Sequence, residues 1–429
     1  MIEKIKLLLG NRFFKGIALI TTGVGLSQLI NILFSPVLTR IFSPTEMGVL
    51  SSFTSIVLIV TSIGALKYET AIVLTDEDED AVNIFVLSLI ILIALVIIAT
   101  IVVLIASDII LDMINYDEEI NFLLFVPIAI LTIGLYTIIS QWNYRNLDYK
   151  TISQTKVTQS LFQNVVNVSG GLIGFGAPSL IVGKIIGQSA GITTMLKKNK
   201  LKISYIKENT SKKRMLLNLK KYGRFPMLNA PSQLFNVLGT QMPTIALTII
   251  FGIEIAGFYG LAYSMSTLPM LLIGKSVSDV YYAEITAIKK KSPEKVPRIT
   301  FSLVKKLALL GLFPLFALML FAPYLFELVF GARWGMSGAM AQIISIMLYI
   351  RFIVSPISRI LIVYEKQGMN LFLDIFRVIT VFITFLISFY YHLDVSTTLI
   401  GYSVSMVIIY LITFMLIYKI INIESKGEK

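Results

Sequence analysis

Apolar residues occur in runs of about 20, long enough to cross a bilayer as helices, and short polar connectors separate them. The pattern predicts twelve helical spans, at residues 15–38, 47–66, 82–106, 121–141, 157–176, 178–196, 226–250, 256–276, 303–329, 338–362, 370–390 and 397–420. The alternation of apolar and polar residues that a transmembrane barrel strand requires is absent. An open sheet edge has no place in lipid, so the spans are helices. The pattern also repeats. Ser27-Gln28-Leu29-x-Asn31-x-Leu33 in span 1 returns as Ser232-Gln233-Leu234-x-Asn236-x-Leu238 in span 7. The hinge that follows, Phe42, Glu46 and Gly48, is echoed by Phe251, Glu254 and Gly257, with the glutamate one residue out of step. The copies lie about half a chain apart. The chain therefore reads as two six-helix lobes, 1–196 and 226–429, joined head to tail by the connector 197–225. Six spans per lobe keep both lobes in one orientation, a parallel repeat about the membrane normal.

Composition agrees. Hydrophobic residues make up 56% of the chain and charged residues 14%, against about a quarter charged in soluble proteins. Cysteine is absent, which removes disulfides and thiolate metal sites. The net charge of +12 does not point to nucleic acid, because its placement follows topology. Lys4, Lys6, Arg12 and Lys15 precede span 1. Arg145, Lys150 and Lys156 lie between spans 4 and 5. Eleven basic residues, from Lys197 to Arg224, fill the connector 197–225, and Lys289, Lys290, Lys291, Lys295 and Arg298 lie between spans 8 and 9. Alternate connectors are nearly bare of basic residues, and one is acidic (Asp108, Asp112, Asp117, Glu118, Glu119). Basic segments stay on the cytoplasmic side, so both termini and the connector are expected there. The basic N-terminus reads as a retained first helix, without a small-residue cleavage site.

Polar residues inside the spans are the candidate chemistry. Gln28, Asn31 and Ser35 share one face of span 1, and Gln233, Asn236 and Thr240 one face of span 7. Gln159, Gln163 and Asn167 form a stripe on span 5, widened by Ser160 and Asn164. Such amides either bond helix to helix or line a wet cavity, and three stripes on three helices favour the cavity. Arg351, Ser355 and Arg359 share a face of span 10. Lys184, with Gln188 one turn on, lies in span 6, and Asp374 and Arg377 sit one turn apart in span 11, where they can neutralise each other. Charge inside a membrane is costly and marks function by default. Lys67 and Lys275 instead end spans 2 and 8, where snorkelling to the interface explains them. His392, the only histidine, falls in a short outer connector. No catalytic, nucleotide-binding or metal-binding motif occurs, so neither an enzyme nor a cofactor is expected.

Several segments resemble one family. They are Leu38-x-Arg40-x-Phe42-Ser43-Pro44-x-Glu46-x-Gly48, Lys67-Tyr68-Glu69-x-Ala71-Ile72-Val73-Leu74 with the acidic run after it, Arg224-Phe225-Pro226, and Leu268-Pro269-x-x-x-Ile273-Gly274. Gly331 to Trp334, followed by Ala341-Gln342 and Arg351-Phe352, adds a C-terminal match. In this order they resemble the polysaccharide transporter family, the Wzx-type flippases of O-antigen and capsule repeat units, within the multidrug/oligosaccharidyl-lipid/polysaccharide exporter (MOP) superfamily. The resemblance implies an all-α, multi-pass protein of the bacterial plasma membrane, its two lobes forming a V around a cavity with alternating access. The implied substrate is an undecaprenyl-diphosphate-linked oligosaccharide moved to the outer leaflet, with membrane lipid and the polysaccharide polymerase machinery as partners and nucleic acid as none. On this reading Arg351, Arg359, Arg377, Lys184, Gln28, Asn31, Gln159, Gln163, Asn167, Gln233 and Asn236 are the substrate-binding candidates. A drug or lipid II exporter of the same superfamily is the alternative, but a cation-coupled drug exporter is expected to hold acids deep in its spans. A membrane polymerase or ligase is expected to carry a large outer loop, and the outer connectors here are short.

A cysteine-free chain permits single-cysteine labelling. An impermeant thiol reagent added outside is expected to modify a cysteine placed at position 117 and spare one at 205; the reverse pattern would invert the orientation.

Overall fold

The computed structural model describes residues 12–114, 121–198 and 203–424. Asp117, Glu118, Glu119, Lys4, Lys6, Lys200 and Lys202, used above to orient the chain, lie outside them. Among the described residues the chain is helical, and ten helices are long and apolar enough to span a membrane. A helix pair bent by 45° at a short break, Ile253–Ser266 with Met270–Lys289, supplies one more. The helix Tyr149–Ile173 is 25 residues long, enough to span, but too polar to score as apolar. With it, the twelve expected spans are all helices.

The chain divides into two compact units, Met1–Val237 and Leu238–Lys429. The first holds α1 (Arg12–Ile41), α2 (Pro44–Thr61), α3 (Asp78–Met113), α4 (Val126–Arg145), α5 (Tyr149–Ile173), α6 (Ala177–Lys198), α7 (Ile203–Asn209) and α8 (Lys212–Lys221). The division falls inside α9 (Ala230–Phe251). In the second unit are α10 (Ile253–Ser266), α11 (Lys275–Lys291), α12 (Val296–Phe330), α13 (Gly335–Ile357), α14 (Ile360–Val363), α15 (Gln367–Tyr390) and α16 (Val395–Glu424). The two hinge copies begin helices by different means. Ser43 and Glu46 form a reciprocal capping box ahead of Pro44, whereas Gly252 enters α10 at φ 91°.

The first unit is organised by α5, which packs on α1 and most closely on α6. Gly183, Gly187 and Gly191 form a stripe on α6 that lets the two backbones approach. A Cβ on Gly187 would come within 2.8 Å of the Gln159 carbonyl oxygen, and one on Gly191 within 2.7 Å of the Gln159 amide nitrogen. The α1 seam is similar, since a Cβ on Gly23 would meet the Ser153 carbonyl oxygen at 2.6 Å.

Span 2 ends earlier than its apolar run suggests. α2 stops at Thr61, and Leu66 and Lys67 take left-handed conformations (φ 50° and 64°). A 3-10 turn, Tyr68–Leu74, then folds back against α3 and α4. Arg145, at the end of α4, closes it by donating to the Ile72 carbonyl at 3.2 Å and the Thr75 hydroxyl at 2.7 Å, while pairing with Asp78 at 2.9 Å. The connector expected as a linker is itself structured. Asn83 on α3 accepts from Ser211 N and donates to the Asn209 carbonyl, both at 2.8 Å. Arg214 on α8 reaches Glu77 at 2.8 Å and Glu79 at 2.7 Å.

In the second unit α13 is the central helix, packed by α10, α12 and α16. Trp334 is fully buried at its start, edge-on to Phe258 of α10 at 5.7 Å.

Two measurements test this packing. Gly187→Ala is expected to lower the melting midpoint, read from Trp142 and Trp334 fluorescence, because overpacking costs roughly 1–3 kcal/mol and the obstructing atom is backbone. Gly25→Ala, whose Cβ meets nothing within 4 Å, is the control and should match or exceed the native midpoint; equal midpoints for the two variants would refute the close α5–α6 seam. The second concerns Glu69, buried in the 3-10 turn 3.7 Å from the Lys67 ammonium, with its other oxygen unpartnered. Burial raises its carboxyl more than Lys67 lowers it. A raised acid favours the folded state below its unfolded value, and that contribution is lost as pH rises through the folded value. The stability of the native chain relative to Glu69→Gln should therefore fall with rising pH above about 4.3; a rise would show that the Lys67 pair dominates, and a flat difference that pair and burial cancel.

Candidate functional site

The amide stripes go first to helix seams. Asn164 on α5 donates to Asn31 Oδ1 on α1 at 2.8 Å, one seam position from a Ser27–Ser160 hydroxyl pair at 2.5 Å. On the opposite side of α5, Gln159 donates to Gln188 of α6 at 2.9 Å. The Asn167 amide, oriented with its nitrogen toward acceptors, donates to the Gln163 carbonyl at 3.0 Å and the Ser179 carbonyl at 3.3 Å. Gln159 and Asn167 are thus buried between helices, facing the glycine stripe of α6. Of the sequence candidates in this unit, Gln28 and Gln163 stay half-buried. So does Lys184 on α6, whose Nζ donates to Thr54 Oγ1 of α2 at 2.8 Å. Gln233 and Asn236 lie exposed on α9.

The second unit holds the cationic cluster. Arg351 on α13 points its guanidinium at Tyr263 of α10, donating to the phenol oxygen. Tyr263 in turn stacks on Tyr259, one turn away, with ring centroids 5.7 Å apart. From α16, Tyr402 and Tyr410 stand within electrostatic reach of the same guanidinium. Tyr410 also receives Arg377 of α15, whose guanidinium lies 5.7 Å from the ring centroid. Arg377 pairs with Asp374 at 3.2 Å. Two arginines thus flank one tyrosine, inside four apolar helices. Among the described residues Arg351 has no carboxylate partner, so the cluster of two guanidiniums and one carboxylate keeps one net positive charge. Aromatic faces stabilise a guanidinium by about 0.5–2 kcal/mol without cancelling its charge, which leaves it able to attract an anion.

Arg359 does not continue the helix face of Arg351. α13 ends at Ile357, and Arg359 starts the short helix α14. There it meets Asp279 of α11 at 3.6 Å, with both side chains 43% exposed. Sequence reading brought Arg351 and Arg359 together by helical spacing; the structure joins Arg351 to Arg377 through Tyr410 instead. The tyrosines were missed because Tyr in an apolar span reads as packing or interfacial belt. Their spacing (259 and 263, 402 and 410) puts each pair on one helix face, which was the available clue. Among the described residues no group of acids and histidine suits a metal ion.

Comparison with known proteins places this architecture. Residues 37–338 match a family described as "Polysaccharide biosynthesis protein". Among curated proteins, the chain is 23% identical over 154 residues to the Lipopolysaccharide biosynthesis protein WzxC of Escherichia coli (strain K12), covering 36% of this chain. It is 26% identical over 160 residues to the Teichuronic acid biosynthesis protein TuaB of Bacillus subtilis (strain 168), covering 37% of this chain. These matches span about a third of each relative, 31% and 33%. The fold matches an inward-facing multidrug resistance MATE family transporter of the MOP superfamily, with TM-score 0.77 and 16% identity over 95% of this chain and 96% of that one. A MOP superfamily transporter from Pyrococcus furiosus Vc1 matches with TM-score 0.60 and 16% identity over 98% of each chain. At such identity the likeness is one of fold. The chain belongs to the family of polysaccharide biosynthesis proteins.

Proposed function

We propose that the protein is a flippase. It moves undecaprenyl-diphosphate-linked oligosaccharide repeat units from the cytoplasmic to the outer leaflet of the bacterial plasma membrane by alternating access, with both termini cytoplasmic. The observation that carries this reading is Arg351, a guanidinium within a membrane span whose partners are tyrosines. A diphosphate needs cationic donors, and carrying a sugar head group through about 30 Å of hydrocarbon leaves polar groups unmet at several kcal/mol each. The four tyrosines add apolar faces and hydroxyls of the kind sugar rings use. The names of the two curated relatives, one tied to lipopolysaccharide and one to teichuronic acid, fit a polymer-building substrate. A cationic drug would instead meet the net positive charge of the cluster.

Surface polysaccharide in a strain lacking its own flippase, with protein level measured in parallel, is the assay. Arg351→Ala is expected to lose most export at native protein level, and Arg351→Lys to keep part of it. Arg359→Ala should stay near the native value, since an exposed ion pair contributes about 0–1 kcal/mol. Full export by Arg351→Ala would return this arginine to a packing role and remove the main support for an anionic substrate.

A further inference from the structure

The hairpin of α11 and α12 is closed at its neck and open along one side. Ile285 and Val296 are fully buried at the neck, and the Tyr281 and Thr300 hydroxyls lie 2.7 Å apart beside them. Along the open side runs a groove of about 560 Å3. Ser276 and Glu284 line one wall, Arg298, Ser302 and Lys306 the other. The residues on each wall step by four or eight, so each set occupies one helix face. Arg298 and Lys306 are about 12 Å apart along the axis, a gap their long side chains can close from both ends over Ser302. Neither joins an ion pair among the described residues.

Depth and polarity change together along α12. The apolar run expected to span the membrane, 303–329, begins between Arg298 and Lys306, so Arg298 precedes it and Lys306 lies about one turn inside. Leu303 forms an apolar wall between them. Further along the same face of the helix, Leu309, Leu310 and Phe313 are exposed. A basic mouth at the interface that gives way to apolar surface deeper in the span suits a phosphate-bearing amphiphile. Two cations and one carboxylate leave one net positive charge, which matches a phosphodiester. Glu284 would repel that phosphate unless the head group also brings hydrogen-bond donors to it.

We propose that this groove binds an anionic phospholipid with a hydroxylated head group, of the phosphatidylglycerol type. Arg298 and Lys306 hold the phosphate, the head-group hydroxyls donate to Glu284, and an acyl chain lies along Leu310 and Phe313. The site is separate from the Arg351 cluster and does not depend on what that cluster carries.

Native mass spectrometry of the full-length protein, exchanged into detergent with defined lipids, tests the proposal. Phosphatidylglycerol should be retained in preference to phosphatidylcholine and phosphatidylethanolamine. Arg298→Gln with Lys306→Gln should weaken that retention about tenfold or more, the effect of losing one charge-assisted contact. Lys212→Gln with Lys213→Gln, equally basic but on α8, should leave it unchanged. Glu284→Gln should narrow the preference for phosphatidylglycerol over phosphatidic acid, which lacks the glycerol hydroxyls. Millimolar inorganic phosphate should fail to displace the lipid. Equal retention by the Arg298/Lys306 variant, a preference for phosphatidylethanolamine, or displacement by free phosphate would each overturn the assignment. Because all the substituted side chains are exposed, the variants should keep the native melting midpoint, and this is measured alongside.

Discussion

A polar side chain inside a bilayer must find its partner on another part of the protein, because lipid offers none. The rest of this structure follows from how that constraint is met at α5. This helix carries more amides and hydroxyls than any other span, too many for it to register as apolar. It is tolerable in a membrane because α1 and α6 come close on two sides. The approach is steric in origin: Gly183, Gly187 and Gly191 leave room for Gln159 and Asn167 to fold down between backbones and bond there. Interhelical bonds of this kind contribute only about 0.6–2 kcal/mol each, but a partnerless amide in hydrocarbon would cost several. The bonds therefore fix which helices can be neighbours more than they add stability.

The second unit meets the same constraint by other means. Arg377 is handled as a membrane charge commonly is, one turn from a buried aspartate. Arg351 is not. Its contacts are phenols and ring faces, which shield it from lipid while leaving its charge uncancelled. Arg377, beside it, lies over the Tyr410 ring and is paired with Asp374. An arginine kept only for structure would gain more from a carboxylate partner, which would also cancel its charge. An arginine that must receive an anion gains from lacking one, because a carboxylate partner would have to be displaced first.

Much of this was legible in the sequence. Runs of bilayer length gave the helices, α5 among them, and an even count agrees with basic ends on one side. The charged residues that matter, Lys184, Arg351 and Arg377, were visible as charges inside those runs. The partners were not visible, since helical spacing reports only which residues share a face and not which helix that face meets. So the Gln159 stripe read as cavity lining although it faces glycines, and Arg359 was joined to Arg351 although a helix break and Asp279 separate them. The acidic run Asp76 to Asp80 carries little weight in topology. Its role is tertiary: Glu77, Glu79 and Asp80 receive Arg214, and Asp80 also accepts from Asn218, docking the basic connector on α3.

The same reasoning separates the two basic regions of the second unit. At the Arg351 cluster the cations are half-buried and ringed by aromatics, so water is scarce and a bound anion would interact strongly with them. At the α11–α12 groove the cations are exposed at an interface, where water and salt screen them. Charge alone holds a phosphate only weakly in such a place, and selectivity must come from the acyl chain and from Glu284. One region is suited to an anion that passes through the span, the other to a lipid that stays in its leaflet. Arg351 and Arg298 carry the same charge; what distinguishes them is the number of water molecules each has given up in the folded chain.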